Sequence, residues 1–194
     1  MSPRALVLFL VFASACMKAP DPAGAMGAAS PDMAPAPMVD PDAQRPELAL
    51  EAPATWEAVI PDQSFYLAKW LIPGASVGVC TVTWLGPGAE QRQTNIERWI
   101  GQFVDVPAAG AHGALQIKAL DGARYPGTWV QLEGTLTATR QVGGGAAREN
   151  WMLLGAVLDT SSGPVYIKAI GPTDVLHEDE AAFYAAVQQA RILP

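Results

Sequence analysis

The tryptophans divide this chain into two parts of different character. All six of them lie after residue 53, whereas residues 17–53 contain none and are rich in alanine and proline. A stretch of that composition cannot bury enough apolar surface to offset the entropy lost when a chain becomes ordered. We therefore expect residues 16–53 to form a disordered linker and residues 54–194 to fold as a single domain.

The N-terminal segment has the pattern of a secretory signal peptide. Arg4 is followed by an apolar run from Ala5 to Ala15, which ends in small residues directly before Cys16. A helix of this length reaches only about half of a ~30 Å hydrocarbon core, so it is too short for a transmembrane anchor. We interpret residues 1–15 as a signal peptide.

Two processing routes fit the residues around Cys16. The order resembles a bacterial lipoprotein signal, in which the cysteine receives lipid and becomes the mature N-terminus. Ala13-Ser14-Ala15 also fits ordinary signal cleavage, which would release a secreted soluble protein. The linker behind Cys16 suits a tether and favours lipid attachment. Met17 follows the cysteine, and by resemblance to the sorting rules of two-membrane bacteria it favours the outer membrane, facing the periplasm.

The balance of charge argues against one class of partner. The formal net charge is −7, and the basic residues of the predicted domain form no stripe. Phosphate recognition along a nucleic acid needs clustered lysine and arginine. We therefore expect no nucleic-acid partner, and contact with a membrane would come through the lipid anchor rather than through charge.

Short runs of β-branched and aromatic residues, bounded by glycine and proline, predict the strands of the domain. The run 151–158 is almost entirely apolar, which is typical of a central strand covered on both faces. The predicted strands are residues 56–60, 64–72, 77–84, 115–120, 128–136, 151–158 and 165–170.

Two segments change to a helical period, with apolar residues at i, i+3, i+4 and i+7. The first stripe, within 94–103, is Ile96, Trp99, Ile100 and Phe103, and the second is Phe183, Ala186, Val187 and Ala190. Thr173 or Asp174 is expected to cap the second helix. Helices inserted among hairpin strands predict an α+β fold, with a largely antiparallel sheet of about six to seven strands and two amphipathic helices.

No group of residues has the spacing of a known catalytic or metal site. His112 and His177 each lack a second ligand at metal-binding spacing, and there is no cysteine pair. Gly143-Gly144-Gly145 is not followed by the lysine of a phosphate-binding loop. We therefore predict no catalytic, cofactor-binding or metal-ligating residue, and the sequence leans against an enzyme.

Several polar or reactive residues have a simpler interpretation. Cys80 lies in an apolar strand and is predicted to be a buried free thiol. The polar stretch 137–150 predicts a mobile hairpin loop, with Arg140 and Arg148 as solvated charges beside it. Trp70, Trp84, Trp99 and Trp151 are predicted core residues, whereas the pattern does not place Trp56 and Trp129.

Two resemblances bear on function. Residues 95–103 and 168–172 resemble segments of a group of uncharacterised bacterial lipoproteins, and the strand and helix order resembles the PsbP-type α/β/α sandwich. Proteins of that fold are mostly binding or assembly factors, although a fold alone does not fix a function. We therefore expect a lipid-anchored module that binds or assembles an envelope partner. The alternatives are an envelope hydrolase with scattered catalytic residues and a carrier of a small apolar ligand.

The lipid anchor is directly testable. Cells fed a labelled fatty acid should incorporate label into the wild-type protein and none into Cys16→Ala, because acyl transfer requires that thiol. If the wild-type protein carried no label on a thin-film plate or gel, the lipid anchor would be excluded and the secreted form would be favoured.

Overall fold

The computed structural model describes residues 45–87, 91–137 and 139–193. All of them belong to one compact unit, Val39–Pro194. The predicted signal peptide, Cys16 and most of the predicted linker lie outside the described residues. Among the helices that are described, none combines the length and apolarity needed to cross a membrane.

The described strands are β1 Glu47–Ala49, β2 Glu57–Val59, β3 Tyr66–Ile72, β4 Gly78–Trp84, β5 Phe103–Val104, β6 Gln116–Ala119, β7 Gly127–Leu136, β8 Arg148–Thr160, β9 Gly163–Pro172 and β10 Arg191–Leu193. The helices are α1 Arg92–Ile100 and α2 Thr173–Gln189, with a 3₁₀ turn at Arg140–Val142. Within the described residues, eight strands form one antiparallel sheet in the order β2-β3-β4-β9-β8-β7-β5, and β6 lies beside β5 along the outer edge of β7. A separate pair joins β1 to β10.

The β8–β9 hairpin lies at the centre of the sheet and is buried on both faces. Residues 151–158 are all buried, as the apolar run predicts. Helix α2 packs over β8 and β9 on one face, which we call the α2 face, and α1 packs on the other, the α1 face. The predicted fold class, α+β with an antiparallel sheet and two helices, is confirmed.

The α2 face carries the larger core. Phe183 of α2 is fully buried, and its ring lies 5.1 Å from that of Trp56 and 5.9 Å from that of Trp129. Both tryptophans that the sequence leaves unplaced are therefore core residues. Trp70, predicted to be core, is only half-buried, although it packs against the same cluster.

The α1 face depends on one close approach. Trp99 of α1 lies over Gly155 of β8, where a β-carbon would come within 2.8 Å of the indole ring. The absence of a side chain at Gly155 lets α1 settle onto the sheet. Tyr166 of β9 completes this contact, with its ring 6.2 Å from that of Trp99 in an edge-on arrangement.

Helix α1 ends earlier than its apolar stripe suggests. The predicted helix extends to Phe103, but α1 ends at Ile100, and Gly101 follows as its C-terminal cap. Phe103 instead starts β5, where it pairs with Leu136 of β7 and stays buried. The stripe therefore marks residues that share one core and not residues that share one helix.

The domain begins before the predicted boundary at Ala54. Strand β1 pairs with β10 at the C-terminus, and Leu48 and Leu50 pack against the α2-face core. The hydroxyl of Tyr125 accepts a hydrogen bond from Ile192 N at 3.0 Å and donates one to Ile192 O at 3.1 Å, which fixes β10. The folded part thus includes residues 45–53, which the composition assigns to the linker.

Neither predicted cap holds the start of α2. The helix begins at Thr173 after Pro172, and no side chain caps it. The Thr173 hydroxyl is buried and has no hydrogen-bond partner among the described residues. Proline ends β9 and starts the helix without a break, so position 173 is already inside the helix and cannot serve as its cap.

Replacing Gly155 with alanine tests the packing of α1. The added β-carbon overlaps the Trp99 ring, so we expect Gly155→Ala to lower the free energy of unfolding by about 1–3 kcal/mol in urea titrations. Gly171→Ala is the matched control, because a β-carbon at this buried strand glycine meets atoms at 3.5 Å or more. Equal effects of the two substitutions would contradict the proposed role of Gly155.

Candidate functional site

A half-open cleft of about 350 Å³ lies on the α1 face, beside α1. Strands β4 and β9 form its floor, α1 forms one wall, and the 3₁₀ turn contributes another. Polar side chains on the floor and aromatic side chains at the sides give the cleft a mixed character. It differs in this respect from the apolar core on the opposite face.

Strand alternation explains which residues reach the cleft. Thr81 of β4 is paired with Lys168 of β9, and Thr83 with Tyr166, so all four side chains share the α1 face. Their neighbours, such as Cys80, point into the α2-face core. The floor is thus a polar patch on two strands whose other residues are almost all buried and apolar.

Lys168 is the central residue of the cleft. It is 5% exposed, and its ammonium group donates hydrogen bonds to Gln102 Oε1 at 3.2 Å and to Gln141 Oε1. Among the described residues, no carboxylate lies within 4.0 Å of its Nζ. A buried lysine is usually paired with an acid, so one held only by neutral amides is unusual.

Burial lowers the pKa of Lys168 from 10.5 to about 7. Desolvation is the largest cause, because the charged ammonium group loses water that two amide oxygens only partly replace. The positive charge of Arg98 lowers the pKa further. Lys168 is therefore divided between its charged and neutral forms near neutral pH, and a nearby anion would favour the charged form.

Arg98 supplies a second positive charge at the edge of the cleft. It lies on α1, is exposed, and donates a hydrogen bond to Asn95 Oδ1. Asn95 is buried and donates in turn to Gln91 O at 2.9 Å. The cleft therefore combines a basic lysine with an arginine in a chain whose net charge is −7, and this local excess of basic groups favours an anionic ligand.

Aromatic rings border the same cleft. Phe65 and Tyr66, where the chain enters β3, lie edge to face with ring centroids 4.7 Å apart. Phe65 is 43% exposed although it is a large apolar residue. Trp99 and Tyr166 line the inner side. The cleft thus combines cationic groups with aromatic surface, which suits a small molecule that has an anionic group and an apolar ring.

Within the predicted loop at 137–150, the described residues include a 3₁₀ turn at Arg140–Val142 and the start of β8 at Arg148. Gly143, Gly144 and Gly145 have φ values of 86°, 67° and 92°, a region that favours glycine, and they turn the chain back into β8. Arg148 donates to Val142 O at 2.6 Å and lies over the Trp151 ring, so it is not simply solvated. The turn places Gln141 beside Lys168, and the triple glycine has a structural role.

Two other residues considered from the sequence lie away from the cleft or outside the described chain. Cys80 is fully buried and free, as predicted, and burial raises the pKa of its thiol. It faces the α2 core and does not open into the cleft. Cys16, the predicted lipid attachment residue, lies outside the described residues.

The two histidines have a common partner that their spacing in the sequence does not indicate. His112 and His177 both lie against Glu133 on the α2 face, well separated in sequence but adjacent in the fold. Ligand spacing along the sequence cannot detect such a cluster, because its members come from a loop, a strand and a helix.

Sequence reasoning also missed Lys168. The available signal is that Lys168 lies between Ile167 and Ala169 in a strand with few polar positions. The neutral partners that make it unusual, Gln102 and Gln141, come from distant segments. Only the fold brings these three side chains together.

No family model and no curated protein matches this chain. Among solved structures, it is similar to LpqN, described as involved in cell envelope biogenesis of Mycobacterium tuberculosis. The two share 13% identity with a TM-score of 0.47, over 77% of this chain and 84% of that one. This likeness carries no inference about function, and the resemblance to bacterial lipoproteins stays a prediction.

The pKa of Lys168 predicts how stability depends on pH. Between about pH 7 and pH 10.5 the unfolded chain binds more protons than the folded one, so the free energy of unfolding rises with pH across this range. Burial of the charged Lys168 destabilises the fold fully below about pH 7, and this destabilisation disappears as both states lose the proton at higher pH. We expect the stability of wild type relative to Lys168→Met to rise by on the order of 3 kcal/mol from pH 7 to pH 10. Urea titrations at both values measure this difference.

The exposed Lys118 provides the control. The stability of wild type relative to Lys118→Met should be nearly the same at the two pH values, because the charged form of an exposed lysine keeps its water. If Lys168→Met gave the same flat difference, Lys168 would not be buried as a desolvated cation.

Proposed function

We propose that this protein is a lipid-anchored binding module of the cell envelope, and that its cleft holds a small organic anion. The anchor would be Cys16, and the linker would let the domain reach ligands or an envelope partner away from the membrane. Met17 after the cysteine supports placement at the outer membrane, facing the periplasm. Several acyl chains would make the attachment long-lived, since each buried methylene contributes ~0.8 kcal/mol.

One observation carries the binding proposal. Lys168 is buried at the floor of an open cleft with no carboxylate partner among the described residues. A buried ammonium group destabilises the fold, and an apolar residue such as methionine at this position would avoid that destabilisation. An anion in the cleft would complete the missing pair and offset that destabilisation.

The dimensions of the cleft limit the size of its ligand. A volume of about 350 Å³ is near the lower end of the range for small-molecule sites, roughly 300–1,000 Å³. It fits one or two fused rings with a carboxylate, sulfonate or phosphate group. The anionic group would lie between Lys168 and Arg98, and the ring would contact Phe65 and Trp99.

The alternatives fit this geometry less well. A carrier of an apolar ligand calls for a dry, apolar cavity, whereas this floor carries Lys168, Thr81 and Thr83. An envelope hydrolase would have to use one of those hydroxyls as nucleophile with Lys168 as base. Binding needs only the charge and shape already described, so we prefer it.

A matched pair of probes tests the proposal. Naphthalene-2-sulfonate and uncharged naphthalene-2-sulfonamide have nearly the same shape and differ in charge. Calorimetric titration of the chain from residue 16 onward, carrying Cys16→Ala, should show the sulfonate binding at least about tenfold more tightly, a difference of ~1.4 kcal/mol. Lys168→Met should remove this preference, because it removes the buried charge.

Lys118→Met is the control for loss of one positive charge elsewhere and should keep the preference for the sulfonate. Equal affinities for both probes in wild type, or an unchanged preference in Lys168→Met, would contradict an anion site in the cleft.

A further inference from the structure

A second group of polar residues lies on the α2 face, across the sheet from the cleft. His112 comes from the loop between β5 and β6, Glu133 from β7, and His177 from the second turn of α2. His177 Nε2 lies 3.0 Å from Glu133 Oε1, and His112 Nδ1 lies 3.6 Å from the same oxygen. All three ligand atoms lie within 4.8 Å of one another.

The backbone holds the loop that carries His112 against Glu133. Glu133 N donates a hydrogen bond to Gly113 O at 2.8 Å. Gly113 has a φ of 76°, and a β-carbon there would lie 2.7 Å from Glu133 Cδ. Glycine at this position therefore permits both the conformation and the close approach, and it places the neighbouring imidazole beside the carboxylate.

His177 is oriented from its other side. Its Nδ1 lies 3.5 Å from Glu180 Oε2, one helical turn further along α2. A carboxylate beside one ring nitrogen of a histidine orients the ring so that the other nitrogen is placed to bind a metal. The other nitrogen, Nε2, is the one that lies 3.0 Å from Glu133 Oε1. The two imidazole rings are 5.4 Å apart and tilted by 48°.

An ordinary ion pair explains only part of this arrangement. One histidine would satisfy Glu133, yet two imidazoles from distant segments approach the same carboxylate oxygen. Ligand atoms around a tetrahedral zinc ion are separated by ~3.3 Å, given metal–ligand bonds near 2.0–2.2 Å. The distances from Glu133 Oε1 to His177 Nε2 and to His112 Nδ1, 3.0 and 3.6 Å, lie on either side of that value. His112, whose side chain is 83% exposed, has room to move the remaining distance.

We propose that His112, Glu133 and His177 bind a divalent transition-metal ion, with Glu180 orienting His177. Two imidazoles and one carboxylate form a donor set suited to zinc, and also to cobalt or nickel. Three protein ligands leave at least one coordination position open, and the exposure of His112 gives solvent access to it. This metal site is separate from the proposed anion cleft, because the two share no residue and lie on opposite faces of the sheet.

Metal binding would also join separate parts of the fold. The ion would link the loop before β6 to β7 and to α2, and so would stabilise the folded chain in proportion to metal concentration. Both histidines of the chain are in this cluster, and Cys80 is buried. Replacement of Cys16 by alanine removes the remaining thiol that could compete for zinc.

Zinc titration tests the site. The chain from residue 16 onward, carrying Cys16→Ala, should bind one Zn²⁺ per chain in isothermal titration calorimetry and show a raised melting temperature. We expect His112→Ala, His177→Ala and Glu133→Gln each to weaken binding at least tenfold, because each removes one of three ligands. His112→Ala is the most informative variant, since its side chain is largely exposed and its loss should leave the metal-free melting temperature unchanged.

Glu178→Gln is the matched control, because it removes an exposed carboxylate from the residue next to His177. It should bind Zn²⁺ as wild type does. Affinity unchanged in His112→Ala, or several weak sites that none of the three ligand substitutions affects, would overturn the proposal. The sulfonate preference of the cleft should be the same with and without zinc, so failure of one site is distinguishable from failure of the other.

Discussion

The structure depends on the burial of the β8–β9 hairpin between two helices. Both strands are covered by α2 on one face and by α1 on the other, so nearly every side chain they carry is inside the protein. A polar residue on these strands must then find partners within the fold. Lys168 is such a residue, and its partners are amides from the end of α1 and from the turn before β8. The cleft exists because α1 and the turn leave the floor around this lysine open.

Local sequence patterns predict much of this architecture. The apolar run at 151–158 predicts the central strand, and the period of α2 predicts its buried stripe at Phe183 and Val187. Errors arise where long-range pairing decides the outcome. Phe103 leaves the helix to pair with Leu136, and residues 47–49 join the fold only because the C-terminus returns beside them. Neither partner is near in sequence, so no local pattern reveals it.

The candidate sites depend on long-range contacts even more than the fold does. Lys168 with Gln102 and Gln141, and His112 with Glu133 and His177, are assembled from three segments each. Neither the composition nor the spacing of the sequence indicates a site at any of these residues. Their chemistry arises when the sheet places one group on each face, the lysine beneath α1 and the histidines beside α2. The sequence pattern therefore predicts the scaffold much better than it predicts the groups the scaffold brings together.

Lys168 is a buried amine without an anionic partner among the described residues, and we propose that a ligand supplies that partner. The most direct measurement is the pKa of its ammonium group, followed by NMR of lysine side chains labelled with ¹³C and assigned with Lys168→Met. We expect a pKa of about 7 in the free protein. We also expect this pKa to rise clearly when naphthalene-2-sulfonate is bound, because an anion that binds the charged form favours protonation. A pKa near the ordinary value for lysine, or one that does not change with the sulfonate, would contradict this proposal.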